Sequence, residues 1–522
     1  MSGTGGAGLS GGTPLTLPVA APPAGGLAGA SSRVVTLFTI DGCGYCARAQ
    51  ALLEQRGVPF VEINLSAYPE KRKCMVRTAR ALTVPQVFFG TEHVGGSDAL
   101  SALDAAGGLL DKWAAVRDGA AAVDPSVAAL LRAPDYAPQP QRSVSARANE
   151  SFCGGLSAAQ AVTWLDAAFP SGRLRGAQLV ALVRQRLGGP SASAASAAVA
   201  SLLRAGLVLR EGEGEGESLS ETVTDNDALC LYYAKFKAGG RALNCGRKWR
   251  DRVDEAVLVS HALKSALDKV LKKHRDAAGL VDYAAAAEDP EFAVFEEATC
   301  EAQAVELDKL EPPARKAFVI NLYNVLTLHA FAKVGVPTSD LARMDFFDHV
   351  GYVVGGSFFS FNALENGLLR GNRVPPYHLS ATIAASGDAR VKAVLPLDPR
   401  VHAALNCGAR SCPPIKRFTA EAIDEELDVV AQAFFGQEAN CALDAASKTL
   451  RLTMIVKWYS ADFGASPAEI ACKIASWLSG AKREALEAVV PAAIRLAYAK
   501  YDWSTDALRH RQYARTAMCS LQ

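Results

Sequence analysis

The spacing of hydrophobic positions changes along the chain, and near the N-terminus it predicts alternating strands and helices. Residues Val34–Phe38 are β-branched or apolar and predict a buried strand, whereas Ala47–Arg56 has the spacing of a helix. The two patterns repeat in Phe60–Leu65, a second strand, and in Pro69–Ala81, a second helix. A third strand is predicted over Thr83–Phe89. It contains a proline near its start, which lacks the backbone N–H that would donate to a neighbouring strand. This order indicates an α/β domain.

Helical spacing dominates the next region. Phe152–Leu165 carries an apolar stripe, and further helices are predicted over Leu179–Leu187 and Ala197–Ala205, the last closed by Gly206. Val223–Tyr233 has the pattern of a strand. These elements predict a small, mostly helical domain.

The C-terminal half combines long helices with short strands. Asp254–His274 is amphipathic, and Arg315–Phe331 is nearly all apolar and therefore buried, yet it carries Asn321 and Asn324. Because buried polar groups must be hydrogen-bonded, this helix either caps neighbouring loops or lines a pocket, and loop capping is favoured. Tyr352–Phe359 predicts a strand with a turn. A large α+β domain is expected.

Length and composition bound the function. The 522 residues predict several domains, and 55 basic against 54 acidic residues, a net charge of +1, argue against nucleic acid as a partner. No apolar run reaches the roughly 18 to 20 residues that span a bilayer. Residues 1–32 are uncharged and rich in Gly, Ala and Pro, which predicts a disordered tail. Twelve scattered cysteines favour a reducing compartment, the cytoplasm, with a plastid address left open.

The motif Cys43-Gly-Tyr-Cys46 lies between the first predicted strand and the first helix. Amide N–H groups at a helix start favour an anion, so Cys43 is the expected thiolate and Cys46, one turn later, can resolve a mixed disulfide. Half of a zinc knuckle is the alternative, but no second Cys-x-x-Cys completes it. Redox chemistry is therefore favoured.

Two later loops add to this motif. Thr83-Val-Pro85 can present its backbone to an extended, peptide-like ligand, and Gly95–Asp98 leads into a helix whose first amides can meet a carboxylate. Each loop alone is a common turn. Their order and spacing after Cys43 give them weight.

With these motifs, residues 33–117 resemble glutaredoxins of the thioredoxin fold. The resemblance implies that Cys43 attacks glutathionylated or disulfide protein substrates and that Cys46 resolves. Arg72 stands where many members clamp the glycine carboxylate of glutathione. The implied glutathione contacts are Tyr45, Arg72, Thr83, Val84, Pro85, Gly96, Ser97 and Asp98.

Two positions depart from that family pattern. Ile40 replaces a common lysine, which would weaken glutathione binding and raise the Cys43 pKa. Gly44 replaces a common proline, and some members with a small residue there resemble carriers of an iron-sulfur cluster that bridges two subunits, with Cys43 as a ligand. The alternative to an oxidoreductase is therefore a redox-sensing or iron-sulfur-binding adaptor or scaffold with little turnover.

After a predicted linker at 118–147, residues 148–238 resemble a DEP domain, a small helical, winged-helix-like module of signalling proteins. The resemblance implies docking to a membrane surface or a protein partner. Four arginines form a local basic cluster, but a Gly-Glu repeat follows, so a solvated face is favoured over lipid contact. The cluster consists of Arg173, Arg175, Arg184 and Arg186.

Residues 245–508 resemble the family called domain of unknown function five-four-seven, and 509–522 are predicted to be a tail. The order of the three domains is similar to that of plant and algal proteins. The motifs that carry the resemblance are Asn321-Leu-Tyr-Asn324, Asn366–Asn372, Pro375-Pro-Tyr377, His402 with Cys407, Lys457–Gly464 and Tyr501-Asp-Trp503.

His402 and Cys407 are the right groups for a thiol hydrolase, with Glu365, inside a predicted helix over 362–370, or Asn324 orienting the imidazole. A zinc site of Cys407, Cys412 and His402 is a second alternative with poor spacing. A structural or protein-interaction role is favoured over both. Cys245 and Cys300 are expected to be packed thiols.

Overall fold

A computed structural model describes most of the chain beyond its N-terminal segment. The described residues are 34–119, 121, 124, 127–128, 131, 152–153, 155–189, 191–211, 223–224, 226–232, 241–251, 253, 255–384, 387–490 and 494–514. The predicted tail 1–32 and most of the predicted linker 118–147 lie outside them. Within that linker, the described Leu131 is buried in an apolar cluster with Phe88.

The N-terminal domain has the predicted thioredoxin-like α/β order. Its sheet has the strand order β2-β1-β3-β4, with β1 parallel to β2 and antiparallel to β3. All five residues of β1 are buried, because apolar clusters cover both faces of the sheet. The elements are β1 Val35–Thr39, α1 Gly44–Gln55, β2 Phe60–Asn64, α2 Lys71–Ala79, β3 Gln86–Phe89, β4 Glu92–Gly95, α3 Ser97–Ala105 and α4 Gly108–Arg117.

The middle region contains the predicted helices and a three-stranded antiparallel sheet ordered β5-β7-β6. One helix begins later than predicted, because Phe152 pairs with Leu156 as a bridge and Ser157 then caps the helix. The DEP resemblance stays a prediction. The elements are α5 Ala158–Ala168, β5 Arg173–Arg175, α6 Gly176–Arg186, α7 Ala192–Arg204, β6 Val208–Arg210 and β7 Ala228–Leu231.

The C-terminal region packs helices and three small sheets around one large apolar core. The sheets have the orders β11-β10-β8, β12-β13-β14 and β15-β9. Its elements are β8 Arg241–Ala242, α8 Ala256–Lys273, β9 Val281–Asp282, α9 Tyr283–Ala286, α10 Pro290–Thr299, α11 Pro312–Lys333, α12 Asp340–His349, β10 Val350–Val354, β11 Ser357–Ser360, a π-helix Ala363–Leu369, α13 Ile423–Gly436, β12 Cys441–Asp444, β13 Thr449–Leu452, α14 Met454–Trp458, α15 Ser460–Phe463, α16 Pro467–Ala475, α17 Gly480–Val489, β14 Arg495–Tyr498 and β15 Ala507–Arg509.

Helix α11 runs through the centre of this core and confirms the prediction of loop capping. The Asn321 side chain donates to the Phe418 carbonyl at 2.8 Å and accepts from the Phe418 N–H at 2.9 Å. Asn324 donates to the Ala404 carbonyl at 3.0 Å and accepts from the Asn406 N–H at 2.9 Å. Each buried amide thus satisfies both a donor and an acceptor of a loop.

The predicted C-terminal tail begins too early. Tyr513 is only 3 % exposed, packs edge-on against Phe346 and donates its hydroxyl to Asp345 at 2.8 Å. Gln512 forms a bridge with Val336. One aromatic side chain with a hydrogen-bonded hydroxyl holds the segment to the core, a contact that sequence spacing alone does not reveal.

The N-terminal and C-terminal regions contact each other through α2 and α13. Lys73 pairs with Glu425 at 3.2 Å, and Arg80 donates to the Gln432 side chain at 2.7 Å. Val429 belongs to the apolar cluster under α2. None of the helices in the described ranges combines the length and the hydrophobicity that a bilayer span requires.

Candidate functional site

The first candidate site lies at the start of α1. Cys43 is the N-cap of this helix, and its sulfur accepts the Cys46 N–H at 3.1 Å. The two cysteines form a disulfide with their Cα atoms 5.2 Å apart. Cys46 is buried, whereas Cys43 is partly exposed, so Cys43 is the sulfur that a substrate can reach.

The two predicted loops lie beside this disulfide. The Val84 carbonyl is 4.0 Å from the Cys43 sulfur and precedes a cis peptide bond to Pro85. Gly96 caps α3, and a Cβ atom there would lie 3.5 Å from the Pro85 carbonyl oxygen. The structure therefore brings Val84, Pro85, Gly96 and the first amide of α3, that of Ser97, to one side of Cys43.

The remaining predicted contacts on this face are exposed. Tyr45 is 58 % exposed, and the Arg48 guanidinium lies 4.4 Å from the centre of its ring. Thr83 and Asp98 are also exposed. The surface beside Cys43 is called the groove below, and it is formed by Tyr45, Thr83, Val84, Pro85, Gly96, Ser97 and Asp98. Its exposed side chains are available to a ligand.

Acidic side chains lie on another side of Cys43. A hollow of about 350 Å³ adjoins it, lined in part by Asp41, Glu62 and Ile40. Thr39 donates to Glu62 at 2.5 Å, and Asn64 donates to Asp41 at 2.6 Å. Ile40 brings no cation to the Cys43 sulfur, so the Cys46 N–H at the start of α1 remains as a donor to it.

Arg72 does not lie free in the groove. Its guanidinium pairs with the buried Glu426 carboxylate at 2.6 Å and donates to the backbone carbonyls of Leu82 at 3.2 Å and Arg417 at 3.4 Å. Leu82 itself packs against the apolar cores of both regions. The predicted clamp for a glutathione carboxylate therefore already binds a carboxylate, one supplied by α13.

The second candidate site is a cavity of about 530 Å³ in the C-terminal region. Apolar and aromatic side chains form much of its wall, and a few polar groups converge on it, as in small-molecule sites. The lining residues include Tyr323, Phe347, Asn362, Glu365, His378, His402, Cys407, Cys412, Trp458, Tyr459, Tyr501 and Trp503.

His402 lies in this cavity, but its partner differs from the predicted ones. Its Nε2 atom is 2.8 Å from an Asp462 oxygen, and Arg370 donates two bonds to the same carboxylate at 2.5 and 2.8 Å. Burial alone raises the pKa of Asp462, yet His402 and Arg370 outweigh it and lower that pKa to about 2. Asp462, rather than Glu365 or Asn324, therefore orients the imidazole.

Glu365 contacts two tyrosine hydroxyls, and Asn324 caps the loop at Ala404 and Asn406. Glu365 accepts hydrogen bonds from the hydroxyls of Tyr323 at 2.9 Å and Tyr459 at 2.6 Å. Burial, together with the nearby carboxylate, raises the pKa of both tyrosines. The π-helix that carries Glu365 was predicted as an ordinary helix, and irregular turns of this kind are frequent at functional sites.

Cys407 pairs with a second thiol. Its sulfur lies 3.0 Å from that of Cys412, and the Tyr501 hydroxyl lies 3.6 Å from Cys407 and 3.1 Å from Cys412. The Cys412 bond, together with burial, raises the pKa of Cys407, whereas hydrogen bonds from Cys407 and Tyr501 outweigh burial and lower the pKa of Cys412. Cys412 is thus the more acidic thiol, although the sequence pointed to Cys407, and no hydrogen bond among the described residues joins Cys407 to His402.

Sequence reasoning assigned no role to Asp462, Tyr501 or Trp458. The signal was present, because each lies in a motif that carried a family resemblance, but their meeting point depends on the fold. In the described part of the chain, no group of three His, Cys, Asp or Glu side chains is placed to hold a metal ion, so the zinc alternative gains no support. Cys245 and Cys300 are packed thiols as expected, because both are buried and burial raises their pKa.

Two family models match the chain. Residues 35–94 match Glutaredoxin, and residues 307–435 match Protein of unknown function, DUF547. The first match contains Cys43 and Cys46. The second contains α11, the π-helix, His402 and both cysteines of the cavity.

Curated relatives match the N-terminal domain. Glutaredoxin 3 of Escherichia coli K12 is 45 % identical over 75 residues, which is 14 % of this chain and 90 % of the relative. Glutaredoxin of Pseudomonas aeruginosa is 47 % identical over 75 residues, 14 % of this chain and 89 % of the relative.

Solved structures match the same region. A buckwheat glutaredoxin-glutathione complex is 29 % identical, covering 18 % of this chain and 84 % of that one, with a TM-score of 0.16. Glutaredoxin from Brucella melitensis is 45 % identical, covering 17 % and 94 %, with a TM-score of 0.15. The sequence relatives carry the conclusion: through its N-terminal domain the chain belongs to the glutaredoxin family, and this membership supports a thiol-disulfide oxidoreductase.

Proposed function

We propose that the N-terminal domain is a glutathione-dependent thiol-disulfide oxidoreductase in which Cys43 attacks and Cys46 resolves. The observation that carries this proposal is the asymmetry of the pair at the start of α1. Cys43 is partly exposed and caps the helix, whereas Cys46 is buried one turn behind it. A thiolate at Cys43 accepts a hydrogen bond from the Cys46 N–H, and the positive N-terminal end of the α1 dipole stabilises its charge.

The reaction consists of balanced thiol-disulfide exchanges. The Cys43 thiolate attacks a glutathionylated protein at the glutathione sulfur, and the protein leaves as a thiolate that takes up a proton. A second glutathione attacks the mixed disulfide and releases Cys43 as a thiolate together with glutathione disulfide. With a protein disulfide, Cys46 attacks the mixed disulfide instead, and two glutathione molecules later reduce the Cys43–Cys46 bond.

The groove beside Cys43 suits a tripeptide with two carboxylates. The backbone at Val84 and Pro85 can pair with the cysteine of glutathione, while the helix start at Gly96 and Ser97 offers amides to a carboxylate. The buckwheat glutaredoxin of known structure is a complex with glutathione. Tyr45, Thr83 and Asp98 are the exposed side chains proposed to complete the contacts.

The test is a glutathione-coupled reduction assay on the full chain. Cys43→Ser should lose at least about 100-fold in activity, because Cys46, the other thiol at the start of α1, is buried and cannot replace Cys43 as the attacking sulfur. Cys46→Ser should keep activity on a glutathionylated peptide and lose it on a protein disulfide. Cys472→Ser is the matched control, since this exposed cysteine lies on α16. Wild-type turnover by Cys43→Ser would refute the proposal.

The same assay separates the rival function, a redox sensor or iron-sulfur-binding adaptor with little turnover. That rival requires slow reduction together with an anaerobic iron-sulfur absorbance that Cys43→Ser abolishes. Gly44 is the residue beside Cys43 that motivates this rival, and the family matches add no support for the cluster.

The DEP-like region, 148–238, is proposed to dock a protein or membrane surface in a signalling context. The proposed compartment is the cytoplasm, with a plastid as the alternative. Arg175 and Arg186 are exposed, whereas Arg173 lies 3.4 Å from Glu211, so the basic cluster is partly neutralised. Sedimentation with vesicles containing acidic lipid would test the membrane alternative, and equal binding to neutral vesicles would contradict a role for the arginines.

A further inference from the structure

A second pair of thiols lies in the C-terminal cavity, far along the chain from the first. The sulfurs of Cys407 and Cys412 are 3.0 Å apart. A disulfide bond is about 2.0 Å long, so a movement of about 1 Å would bring them to bonding distance. Both residues are partly exposed, and both line the cavity of about 530 Å³.

Side chains of α11 bind the backbone of the loop that carries this pair. The Asn406 N–H donates to Asn324 at 2.9 Å, and the Asn406 carbonyl accepts from the Thr327 hydroxyl at 2.9 Å. Inside the loop, the Gly408 N–H donates to the Asn406 side chain at 2.7 Å. The Cys412 N–H donates to the Ala409 carbonyl at 3.0 Å, which closes a tight turn. These bonds fix the two sulfurs beside each other before any bond forms.

The far side of the loop is tied to the C-terminal segment that carries Tyr501. The Arg410 N–H donates to the Ser504 carbonyl at 2.8 Å, and the Asp502 N–H donates to the Ser411 hydroxyl at 2.8 Å. These bonds hold the Tyr501 hydroxyl at the sulfur pair, 3.1 Å from Cys412.

Cys412 has the surroundings of a reactive thiol. Its sulfur accepts from the Cys407 N–H at 3.3 Å and lies within reach of the Tyr501 hydroxyl and the Cys407 thiol. Three donors around one sulfur stabilise its thiolate, and they lower the pKa of Cys412 although burial raises it. By contrast, Cys300 is 1 % exposed, and burial, reinforced by the Glu297 carboxylate, raises its pKa.

We propose that Cys407 and Cys412 form a reversible disulfide, a second redox centre that exchanges with small thiols and disulfides of the glutathione class entering the cavity. In the oxidising direction, Cys412 attacks glutathione disulfide, forms a mixed disulfide and releases one glutathione thiolate. Cys407 then gives up its proton and attacks the Cys412 sulfur, which releases the second glutathione. Two thiols are oxidised and one glutathione disulfide is reduced. The reverse sequence consumes two glutathione molecules.

This proposal does not rest on activity of the N-terminal pair, so it is tested without that pair. The full chain carrying Cys43→Ser and Cys46→Ser is treated with glutathione disulfide, blocked with N-ethylmaleimide and digested with trypsin. Arg410 lies between the two cysteines, so cleavage there leaves peptides 401–410 and 411–416. The expected product is these two peptides joined by a disulfide, and reduced glutathione should restore both as maleimide adducts.

Two variants sharpen this result. Cys407→Ser should stop at a Cys412 mixed disulfide with glutathione, which identifies the attacking sulfur. Tyr501→Phe removes one donor and should slow alkylation of Cys412 by iodoacetamide about 10-fold at pH 7. Tyr498→Phe is the matched control, because this tyrosine lies on β14 and is not among the residues lining the cavity.

Several outcomes would overturn the proposal. One is separate maleimide labelling of both peptides after oxidation, and another is an independent glutathione adduct on each cysteine with no joined product. Because all chains in this test lack Cys43 and Cys46, a negative result would leave the proposed N-terminal oxidoreductase untouched. A far-ultraviolet circular dichroism spectrum equal to that of the wild type shows that each variant is folded.

Discussion

The two cysteine pairs reach similar chemistry by different routes. Cys43 and Cys46 are three residues apart on one helix, and the amides of that helix hold the reactive sulfur. Cys407 and Cys412 lie on an irregular loop, and the hydroxyl that contacts both comes from Tyr501, more than eighty residues later. The first site is therefore built locally, and the second exists only when distant segments pack correctly.

This difference predicts which site fails when the core is disturbed. The first pair needs α1 and two nearby loops, all within residues 39–98. The second needs α11, the loop it caps and the C-terminal segment. Buried polar networks of the second kind are costly to break, because each removed partner leaves another group without a hydrogen bond.

The largest effect is expected for Asp462→Asn. This change leaves the Arg370 guanidinium, 4 % exposed, without the carboxylate to which it donates two bonds. Breaking a buried pair should lower the free energy of unfolding by about 3 to 5 kcal/mol. Chemical denaturation measures this free energy. Asp118→Asn is the control, because Asp118 is exposed and its loss should leave the denaturation midpoint unchanged. An equal effect of the two variants would show that the C-terminal network contributes no more than a surface pair.

Gly408→Ala should disturb the second site and spare the first. Gly408 has φ +90°, and an added Cβ would lie 2.2 Å from an atom of the Phe331 ring. We expect a loss of about 2 to 4 kcal/mol of unfolding free energy and slower alkylation of Cys412. Gly480→Ala is the control for backbone strain alone. Its φ is +58°, so alanine is strained there too, but open space surrounds the position and no side chain is crowded. If both alanines have the same cost, the contact with Phe331 is unimportant.

The pH dependence of stability should also distinguish the regions. The folded-state pKa of Asp462 is lowered to about 2, below an unfolded value of about 3.9, so its contribution is present above pH 4 and is lost as pH falls from about 4 toward 2. The difference in unfolding free energy between wild type and Asp462→Asn isolates this group from other acids. A difference that stays constant from pH 6 to pH 2.5 would contradict the assignment.

The smallest predicted effect concerns the contact between the regions. Glu426→Gln removes the charge that engages Arg72, so the apparent KM for glutathione in the full chain should fall about threefold, a change under about 1 kcal/mol. Glu425→Gln is the matched control on the same helix, because its partner is Lys73. A KM that does not respond to Glu426→Gln would mean that Arg72 does not contact glutathione in the full chain.

Sequence reasoning predicted most of the first site because its determinants are local. The strand, the cysteine motif and the helix are contiguous, and the Val84-Pro85 and Gly96 loops follow at short distances. It could not predict that Arg72 is paired with Glu426, since that contact joins residues 354 positions apart.

The second site was predicted only in part. The capping role of Asn321 and Asn324 followed from the rule that buried amides need partners. The sequence could not show which of Cys407 and Cys412 is the more acidic thiol, because that depends on where the Tyr501 hydroxyl lies. The buried Tyr513 was missed for the same reason, as its aromatic partner comes from α12.

The contact between α2 and α13 also makes residue 117 a poor place to divide the protein. An excised N-terminal fragment would expose Leu82, which packs against both cores, and would release Arg72 from the carboxylate of Glu426. Kinetic constants measured on such a fragment would describe a molecule with an altered surface beside its active cysteine. Enzymology of this protein therefore belongs on the intact chain, where the smaller domain retains the neighbour that shapes it.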